Sequence, residues 1–472
     1  MSLEEVLLYL FLTIIFIVLG KIIFSSSKKG IQYAVLFVII STTIHRERFN
    51  LPIELDAISV SFLLGTLLLT RIKITERTKF FPLAIPIAGY ILTNFVTSLI
   101  NSPVPENSIR QSIILTIRAI TFFIVTISIQ FEPTLRFRAP IYYIALLAIH
   151  TFTSIIALVI YPILQTPLVQ INQDGRGSLS INGFFLEPNL YGIFCLCVAS
   201  MLMAMMLFTV PRQRSWLFGG LFIAIIGMAL SYTRSAWLGL ILCLVVLTLV
   251  LVRQQRAQLF SILTTTTLPI VLIIMLMIAG LFTLRAMGVQ SNLAQRLTDI
   301  IDLSTSSASG RLEAWKLALL AWQQHKWLGT GLLSFNLREA EQGWLYSSVI
   351  QSLHDSGIIG LLFMLWICAG CLLYTWRAFT AATDHRDKGI LLGYVLAQIG
   401  LFFTSQFSSF FWGSFTWVLF GLSVGHSLVI LHQQQNPIAN SKKDVANFHP
   451  KNATMFDDSE TKISINKQKS RP

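Results

Sequence analysis

Long apolar runs recur along this chain and are separated by short polar connections. Most runs are about 20 residues long, which lets a helix span the ~30 Å hydrocarbon core of a bilayer. A helix also satisfies its own backbone hydrogen bonds in lipid. The pattern predicts thirteen spans, near residues 5–24, 31–45, 54–70, 80–100, 109–130, 140–162, 189–209, 215–232, 235–252, 259–283, 357–376, 388–407 and 410–431.

The composition excludes a soluble protein. Hydrophobic residues make up 54% of the 472 residues and charged residues only 12%, whereas a soluble domain carries about a quarter charged residues. The short alternating segments of outer-membrane barrels are absent from the sequence. We therefore predict an all-α polytopic membrane protein with about 12–13 transmembrane helices and a large helical periplasmic segment before the last two or three spans.

The apolar runs also decide how the N-terminus and the cysteines are interpreted. The first run, MSLEEVLLYLFLTIIFIVLG, has no basic region and no small-residue cleavage site, which favours a retained span over a signal peptide. All five cysteines lie inside apolar runs. Cys368 and Cys371 have C-x-x-C spacing but no partner pair, so we interpret them as packing residues rather than a metal or redox site.

Basic residues fall in every second connection, and such residues collect on the cytoplasmic side of a membrane protein. This bias explains the net charge of +13 without a nucleic-acid partner. The connections that face outward include the long segment at 284–356, while the stretch HRER is a local exception to the bias. The cytoplasmic set comprises Lys28 and Lys29, the stretches RIKITERTK, RFR, PRQR, RQQR and RAFTAATDHRDK, and the basic tail at 433–472, which is predicted to be disordered.

The outward segment at 284–356 carries three helical patterns. LAQRLTDIIDL and RLEAWKLALLAWQQHKW have the 3.6-residue apolar spacing of amphipathic helices, and STSSASG between them offers N-cap hydroxyls. The second helix ends at the turn LGTG, and a third, LYSSVIQSLHD, leads to Gly357 and the next span. Trp315, Trp322 and Trp327 beside cationic residues suit the membrane surface. The alternative is that these helices only cover the periplasmic face of the protein.

Four arginines are candidates for binding a phosphate group. Arg176, Arg234 and Arg311 come from three separate outward connections, and Arg118 lies roughly two turns inside the fifth span. A charge at that depth costs at least ~2.5 kcal/mol and usually faces a polar cavity. Arginine binds phosphate oxygens in a bidentate fashion, so a converging set suits a lipid-linked diphosphate. The alternative is that each arginine only anchors its helix at the interface.

The stretch GFFLEPNLYG adds a carboxylate, Glu187, and an amide, Asn189, at the outer end of the seventh predicted span. Both residues are candidates for positioning the donor or the acceptor. Pro188 suits the first turn of a helix, and acidic residues favour that end as well. Helix-start chemistry is therefore the alternative explanation for this stretch.

Taken in order, the motifs resemble the O-antigen ligase / O-antigen polymerase superfamily. The resemblance rests on RGSLSINGFFLEPNLYG, LSYTRSAWLGL, SGRLEAWKLALLAWQQHKWLGTGLLSF and SSVIQSLHDSGIIGLL, and it covers about residues 170–370. Together with the apolar runs and the composition of the tail, it divides the chain into three predicted parts: N-terminal transmembrane helices at 1–165, a ligase-like membrane domain at 166–432 that includes the outward segment, and the tail at 433–472.

The resemblance implies a membrane glycosyltransferase at the outer face of the bacterial inner membrane. Such enzymes take a glycan from a polyprenyl diphosphate carrier and transfer it to a lipid A core, to another carrier-linked glycan or to protein, without a nucleotide sugar or a metal. Arg234 and Arg311 would bind the diphosphate, and the outward segment would close over the donor.

One departure from the family pattern concerns the general base. Ligases of the family typically have a His-Asn pair about eleven residues before the glycine that opens the next span, and that position here holds Tyr346 and Ser347. A tyrosine with a pKa of about 10 is a poor base at pH 7. Other candidates for the base are Glu339, Glu341 and His354, and Asp355 lies at the edge of the expected site.

On one helix, Tyr346 and His354 would share a side about 12 Å apart. The departure at Tyr346 weakens the assignment as a ligase and favours the assignment as a polymerase. Two other functions remain open at this stage: a transporter of an inorganic anion or a lipid-linked glycan, and a non-catalytic scaffold within a polysaccharide export system. Against a transporter, the two halves show no internal repeat and no matched broken helices.

Overall fold

The computed structural model describes residues 27–44, 55–69, 83–161, 168–171, 179–209, 214–254, 306–335, 345–408 and 413–435. Its helices are α1 (Ser27–Ser41), α2 (Leu55–Leu69), α3 (Ala84–Ile100), α4 (Pro105–Phe131), α5 (Leu135–Ile160), α6 (Pro188–Phe208), α7 (Arg214–Ser231), α8 (Arg234–Gln254), α9 (Ser306–Gln324), α10 (Ser348–Ala381), α11 (His385–Thr404) and α12 (Ser414–Gln435).

These helices confirm the predicted all-α polytopic membrane protein. Among the described residues, eight helices are long and apolar enough to cross a bilayer, and α3 is a shorter apolar helix. Eleven of the predicted spans coincide with helices to within a few residues, except that α10 is longer at both ends. The predicted runs near 5–24 and 259–283, the stretch LAQRLTDIIDL and most of the tail lie outside the described residues.

Helices α6 and α12 form the centre of the bundle, because nearly all of their side chains are buried. Helix α6 packs most extensively against α11. Gly389 and Gly393 of α11 face the backbone of Met205 and Met201 on α6, at distances where a Cβ would be crowded. Small residues four apart allow this close approach. Inside a membrane, van der Waals packing of this kind holds helices together, because the hydrophobic effect does not drive their association there.

The two ends of the bundle hold different polar groups. At one end, the Asp387 carboxylate binds Arg136 Nε at 3.1 Å and His426 Nε2 at 2.8 Å. At the other end, Thr97 and Asn101 donate hydrogen bonds to the carbonyls of Leu328 and Gly329. Two connections predicted to be cytoplasmic, which carry Arg136 and Asp387, therefore meet at one end of the bundle. Two parts of the chain predicted to face outward, which carry Asn101 and Gly329, meet at the other end.

Helix α10 is broken at Gly357, where φ is 65° and ψ is −164°. The turn at 326–331 provides hydrogen-bond partners for the backbone groups that have no helical partner at the break. The N–H groups of Thr330 and Gly331 donate to the carbonyls of His354 and Asp355 at 2.8 and 2.9 Å, and two N–H groups after the break donate to carbonyls of the turn. Non-helical backbone at membrane depth is tolerated only when such partners are present.

The broken helix confirms that a short helix leads to Gly357 but corrects where it begins. It starts at Ser348, whose preceding residue Ser347 accepts a hydrogen bond from the Ile350 N–H as its N-cap. Tyr346 lies before the helix with a left-handed φ of 51°. The expectation that Tyr346 and His354 share one side of a helix is therefore wrong, because the chain turns between Tyr346 and the first helical residue.

A small antiparallel hairpin was not anticipated from the sequence. Its strands are β1 (Val169–Ile171) and β2 (Leu179–Ile181), and Ser180 pairs with Gln170. Among the described residues these are the only strands. They lie in the connection that precedes α6, so β2 leads directly into the stretch that carries Glu187.

We expect Gly357→Ala to destabilise the protein strongly. Its positive φ disfavours an L side chain by about 1–2 kcal/mol, and the added Cβ would lie 2.2 Å from the Trp327 carbonyl oxygen. The backbone clash should add to the conformational cost, so the thermal unfolding temperature of the purified protein should fall by several degrees.

Gly219→Ala on α7 is the matched control, because nothing lies within 4 Å of its Cβ position. Alanine is preferred to glycine inside a helix, so this variant should unfold at or slightly above the wild-type temperature. Equal unfolding temperatures for the two variants would contradict the described break.

Candidate functional site

Helix α9 lies over the segment that precedes α10. Its residues Ala314 and Ala318 are buried against Phe335 and Leu345, and the Trp315 indole donates a hydrogen bond to the Leu345 carbonyl. The sequence builds this contact with small residues four apart on one helical face. The next residue after Leu345 is thereby fixed beneath the first turns of α9.

That next residue is Tyr346, and its ring contacts Arg311 near the start of α9. The Arg311 Cζ lies 4.9 Å from the ring centroid, which is a cation–π geometry. Both side chains are partly buried. A guanidinium carries its N–H groups in its own plane, and these groups can bind phosphate oxygens.

Glu187 brings a carboxylate to the same place. It is the N-cap residue of α6, with extended backbone angles, and Asn189 hydrogen-bonds to its carboxylate. Burial raises the pKa of the Glu187 carboxyl above its usual value, and the nearby Arg311 opposes this shift. The predicted helix-start position is confirmed, and the side chain also interacts electrostatically with α9.

The charges of this cluster affect one another. Burial lowers the pKa of Arg311, while Tyr346 and Glu187 act in the opposite direction. Burial and the Glu187 carboxylate raise the pKa of the Tyr346 phenol. The phenol therefore stays protonated at neutral pH and can donate a hydrogen bond, but it does not act as a base there. We call Glu187, Arg311 and Tyr346 the charged cluster.

Arg234 is positioned close to Glu187 by a tight turn between α7 and α8. The Thr233 hydroxyl donates to the Pro188 carbonyl at 3.0 Å, next to Glu187 in sequence. Tyr232 adopts a left-handed φ of 54° in this turn. Arg234 follows as the first, partly buried residue of α8. The two arginines named from the sequence motifs thus both lie beside the start of α6.

Arg118 lies on α4, where its Nε donates to the Ser414 hydroxyl at 3.0 Å at the start of α12. This contact gives Arg118 a polar partner within the bundle, while the polar cavity expected from its depth stays a prediction. Ser414 is two residues from Thr416, which lines the groove described next.

An apolar groove of about 480 Å³ runs along α10 and α11. Leu242, Leu365 and Leu372 provide part of its wall, and Ser405 and Gln406 lie at one end. That end contacts the segment carrying Tyr346, since Ser347 donates a hydrogen bond to Gln406 at 3.3 Å and the Ser348 N–H donates to the Ser405 carbonyl at 2.8 Å. The groove therefore ends at the residues that directly follow Tyr346 in the chain.

His354 and Asp355 form a second polar group, at the break in α10. Asp355 Oδ1 lies 2.8 Å from His354 Nδ1, and its other oxygen accepts the Leu333 N–H at 2.9 Å. The Thr330 hydroxyl lies 3.0 Å from His354 Nε2. Both side chains are almost fully buried. His354 also lines a pocket of about 340 Å³.

The structure brings together three of the residues predicted for the site, Glu187, Arg311 and Tyr346, with Asn189 and Arg234 beside them. His354 and Asp355 belong to the separate group at the break. Arg176, Glu339 and Glu341 lie outside the described residues. Sequence reasoning missed the groove and the pocket, because their lining residues come from four elements each and no local pattern marks them.

Comparison with known families supports the motif-based resemblance. Residues 219–365 match the family model described as O-antigen ligase, which is less than half of the chain. The match runs from α7 to the first part of α10 and includes Arg234, Arg311, Tyr346 and His354. None of the curated proteins matches the chain. This match confirms the resemblance to the O-antigen ligase / O-antigen polymerase superfamily over residues 219–365, and the helices described above indicate a multi-pass membrane protein.

Proposed function

We propose that this protein transfers glycan units from a polyprenyl diphosphate carrier to a glycan or lipid acceptor, as a polymerase or ligase. One observation carries the proposal: an apolar groove ends at the segment that follows Tyr346, whose ring contacts the partly buried Arg311. A carrier-linked donor has the same two parts, an apolar chain followed by a dianionic diphosphate. The order of groove and arginine matches that chemistry.

The charged cluster supplies the groups that an inverting transfer needs. An acceptor hydroxyl attacks the anomeric carbon, the bond from that carbon to the diphosphate oxygen breaks, and the charge left on the diphosphate is stabilised by Arg311 and Arg234. The proton of the hydroxyl passes to the Glu187 carboxylate. Its raised pKa makes it a better base than an ordinary carboxylate at neutral pH.

Tyr346 has a different role in this proposal. Its phenol remains protonated, so it orients Arg311 and donates a hydrogen bond to the donor rather than removing a proton. His354 is held by Asp355 and Thr330 at the break of α10, so we do not assign it as the base beside Arg311. It is assigned below to a different part of the glycan.

The proposed location follows from the distribution of basic residues. The end of the bundle that holds the charged cluster would face the periplasm, and the end that holds Asp387 would face the cytoplasm. Carrier lipid and membrane lipid would reach the groove from the bilayer. This orientation puts the transfer at the outer face of the inner membrane, with the C-terminal tail in the cytoplasm.

Arg311→Ala is expected to lower glycan transfer by about 10²-fold or more, as expected when charge stabilisation of a leaving group is removed. Arg311→Lys should restore only part of the activity, because lysine lacks the planar fork. The measurement is a gel profile of surface polysaccharide from a deletion strain that expresses each variant at equal membrane levels.

The matched control is Lys316→Ala, which removes an exposed positive charge from the same helix and should restore the wild-type profile. Loss of long chains with retained single units indicates a polymerase, and complete glycan that accumulates on the carrier indicates a ligase. A normal profile in cells with Arg311→Ala would reject the proposed function and favour a transporter or scaffold.

Glu187→Gln should abolish most of the transfer and remove the acidic limb of the pH profile. In the wild type, activity requires the carboxylate, so it should fall as pH decreases through the raised pKa of Glu187, above the usual value of 4.5. The pH dependence of transfer in isolated membranes provides the measurement.

The raised pKa of Glu187 also determines how the stability of the fold changes with pH. A carboxyl with a raised pKa in the folded state stabilises the fold below pH 4.5, and this contribution is lost as pH rises through the folded pKa. Glu187→Gln should therefore unfold at the wild-type temperature or higher at pH 8. An inactive variant that is also less stable than wild type at pH 8 would indicate a structural role for Glu187 instead.

Ala369→Trp should raise the donor concentration needed for half-maximal transfer, because the indole would fill the groove lined by Ala369. Leu373→Trp, one turn further along the same helix on an exposed position, should leave this concentration unchanged. Kinetics with carrier-linked glycan in detergent micelles would measure both variants. Equal behaviour of the two variants would show that the prenyl chain does not occupy the groove.

A further inference from the structure

The pocket beside His354 is separate from the charged cluster and from the groove. Four parts of the chain meet around it: the connection after α3, the C-terminal half of α9, the turn that follows α9, and the first segment of α10. It has a volume of about 340 Å³, within the range of small-ligand sites. Its lining consists of Asn101, Pro103, Leu317, Ala321, Gln324, His325, Thr330, Ser334, Phe335 and His354.

The chemistry of this lining is neutral and mixed. It offers two amides, two imidazoles and two hydroxyls, together with an aromatic ring and aliphatic side chains. None of the described lining residues is Asp, Glu, Lys or Arg. Such a lining is unsuited to a diphosphate but suits a sugar, whose hydroxyls need donors and acceptors while its C–H faces pack on apolar groups.

The position of the pocket relative to Arg311 limits what part of a substrate could enter it. Both sites use α9, with Arg311 near its start and Gln324 at its end. The lining residues of α9 run from Leu317 to Gln324, six to thirteen residues after Arg311, which corresponds to about 9 to 20 Å along the helix. The pocket therefore extends along α9 away from Arg311, so it would receive a sugar beyond the one bonded to the diphosphate.

We propose that the pocket is a subsite for a neutral sugar of the glycan chain, beyond the sugar whose bond reacts. This assignment rests on the proposed function, since it takes the diphosphate to lie at Arg311. Asp355 and Thr330 fix the His354 ring in the wall of the pocket, so the imidazole presents a constant edge to the sugar. The subsite would select glycans by the identity of a sugar distant from the carrier.

A binding experiment tests the subsite without depending on transfer. The probe is the oligosaccharide released by mild acid from the carrier pool of the deletion strain and labelled with a fluorophore at its reducing end. Fluorescence anisotropy would follow its binding to the purified full-length protein. Gln324→Ala should weaken binding about three- to tenfold, the loss typical of one hydrogen bond between neutral groups.

Gln323→Ala provides a matched control, because the adjacent glutamine is exposed and does not line the pocket. It should bind the oligosaccharide like the wild type. Ala321→Trp, which fills the pocket, should abolish binding. Gln324 is itself exposed, so its variant remains informative even if Ala321→Trp fails to fold.

The outcomes test the subsite and the proposed function independently of each other. Arg311→Ala should bind the released oligosaccharide normally while failing to restore polysaccharide. The subsite is rejected if the wild type does not bind the oligosaccharide, or if Gln324→Ala binds it as tightly as Gln323→Ala. The proposed function is rejected independently if Arg311→Ala restores polysaccharide.

Discussion

The site of this protein depends on the exchange of backbone hydrogen bonds between the break at Gly357 and the turn at 326–331. A helix inside a membrane can stop only where other groups take over its released carbonyl and N–H groups. Here the turn supplies both kinds of partner. Gly329 and Gly357 each approach the opposite backbone so closely that a Cβ would clash with it. This pairing fixes the end of α9 against the polar start of α10.

The charged cluster follows from that pairing. Because α9 is fixed at its C-terminal end by the turn and along its length by Ala314 and Ala318, its first turns lie over Tyr346. The left-handed backbone of Tyr346 costs about 1–3 kcal/mol, which is typical of residues held in place for function. Partial burial of Arg311 then strengthens its interactions with nearby charges, since the surrounding protein screens them less than water does.

The sequence predicted the parts of this arrangement that are local. Apolar runs of sufficient length located eleven described helices, and the helix-start residues around Glu187 located the start of α6. The sequence could not predict the place of Tyr346, because an extended helical pattern over LYSSVIQSLHD does not show that the chain turns at Ser347. It also could not show the groove, since residues from α8, α10, α11 and α12 become neighbours only through tertiary packing.

One helix with two different ends explains how the sites could act together. The start of α9 carries the cation suited to a diphosphate, and its end lines a neutral pocket suited to a sugar. Because a helix is stiff over its nineteen residues, the distance between these sites is fixed rather than adjustable. An enzyme that held its donor at Arg311 and in the pocket, as proposed, would accept a glycan only when its length and the sugar in the pocket both fit. Specificity for a complete repeat unit would then arise from helix length as well as from contacts.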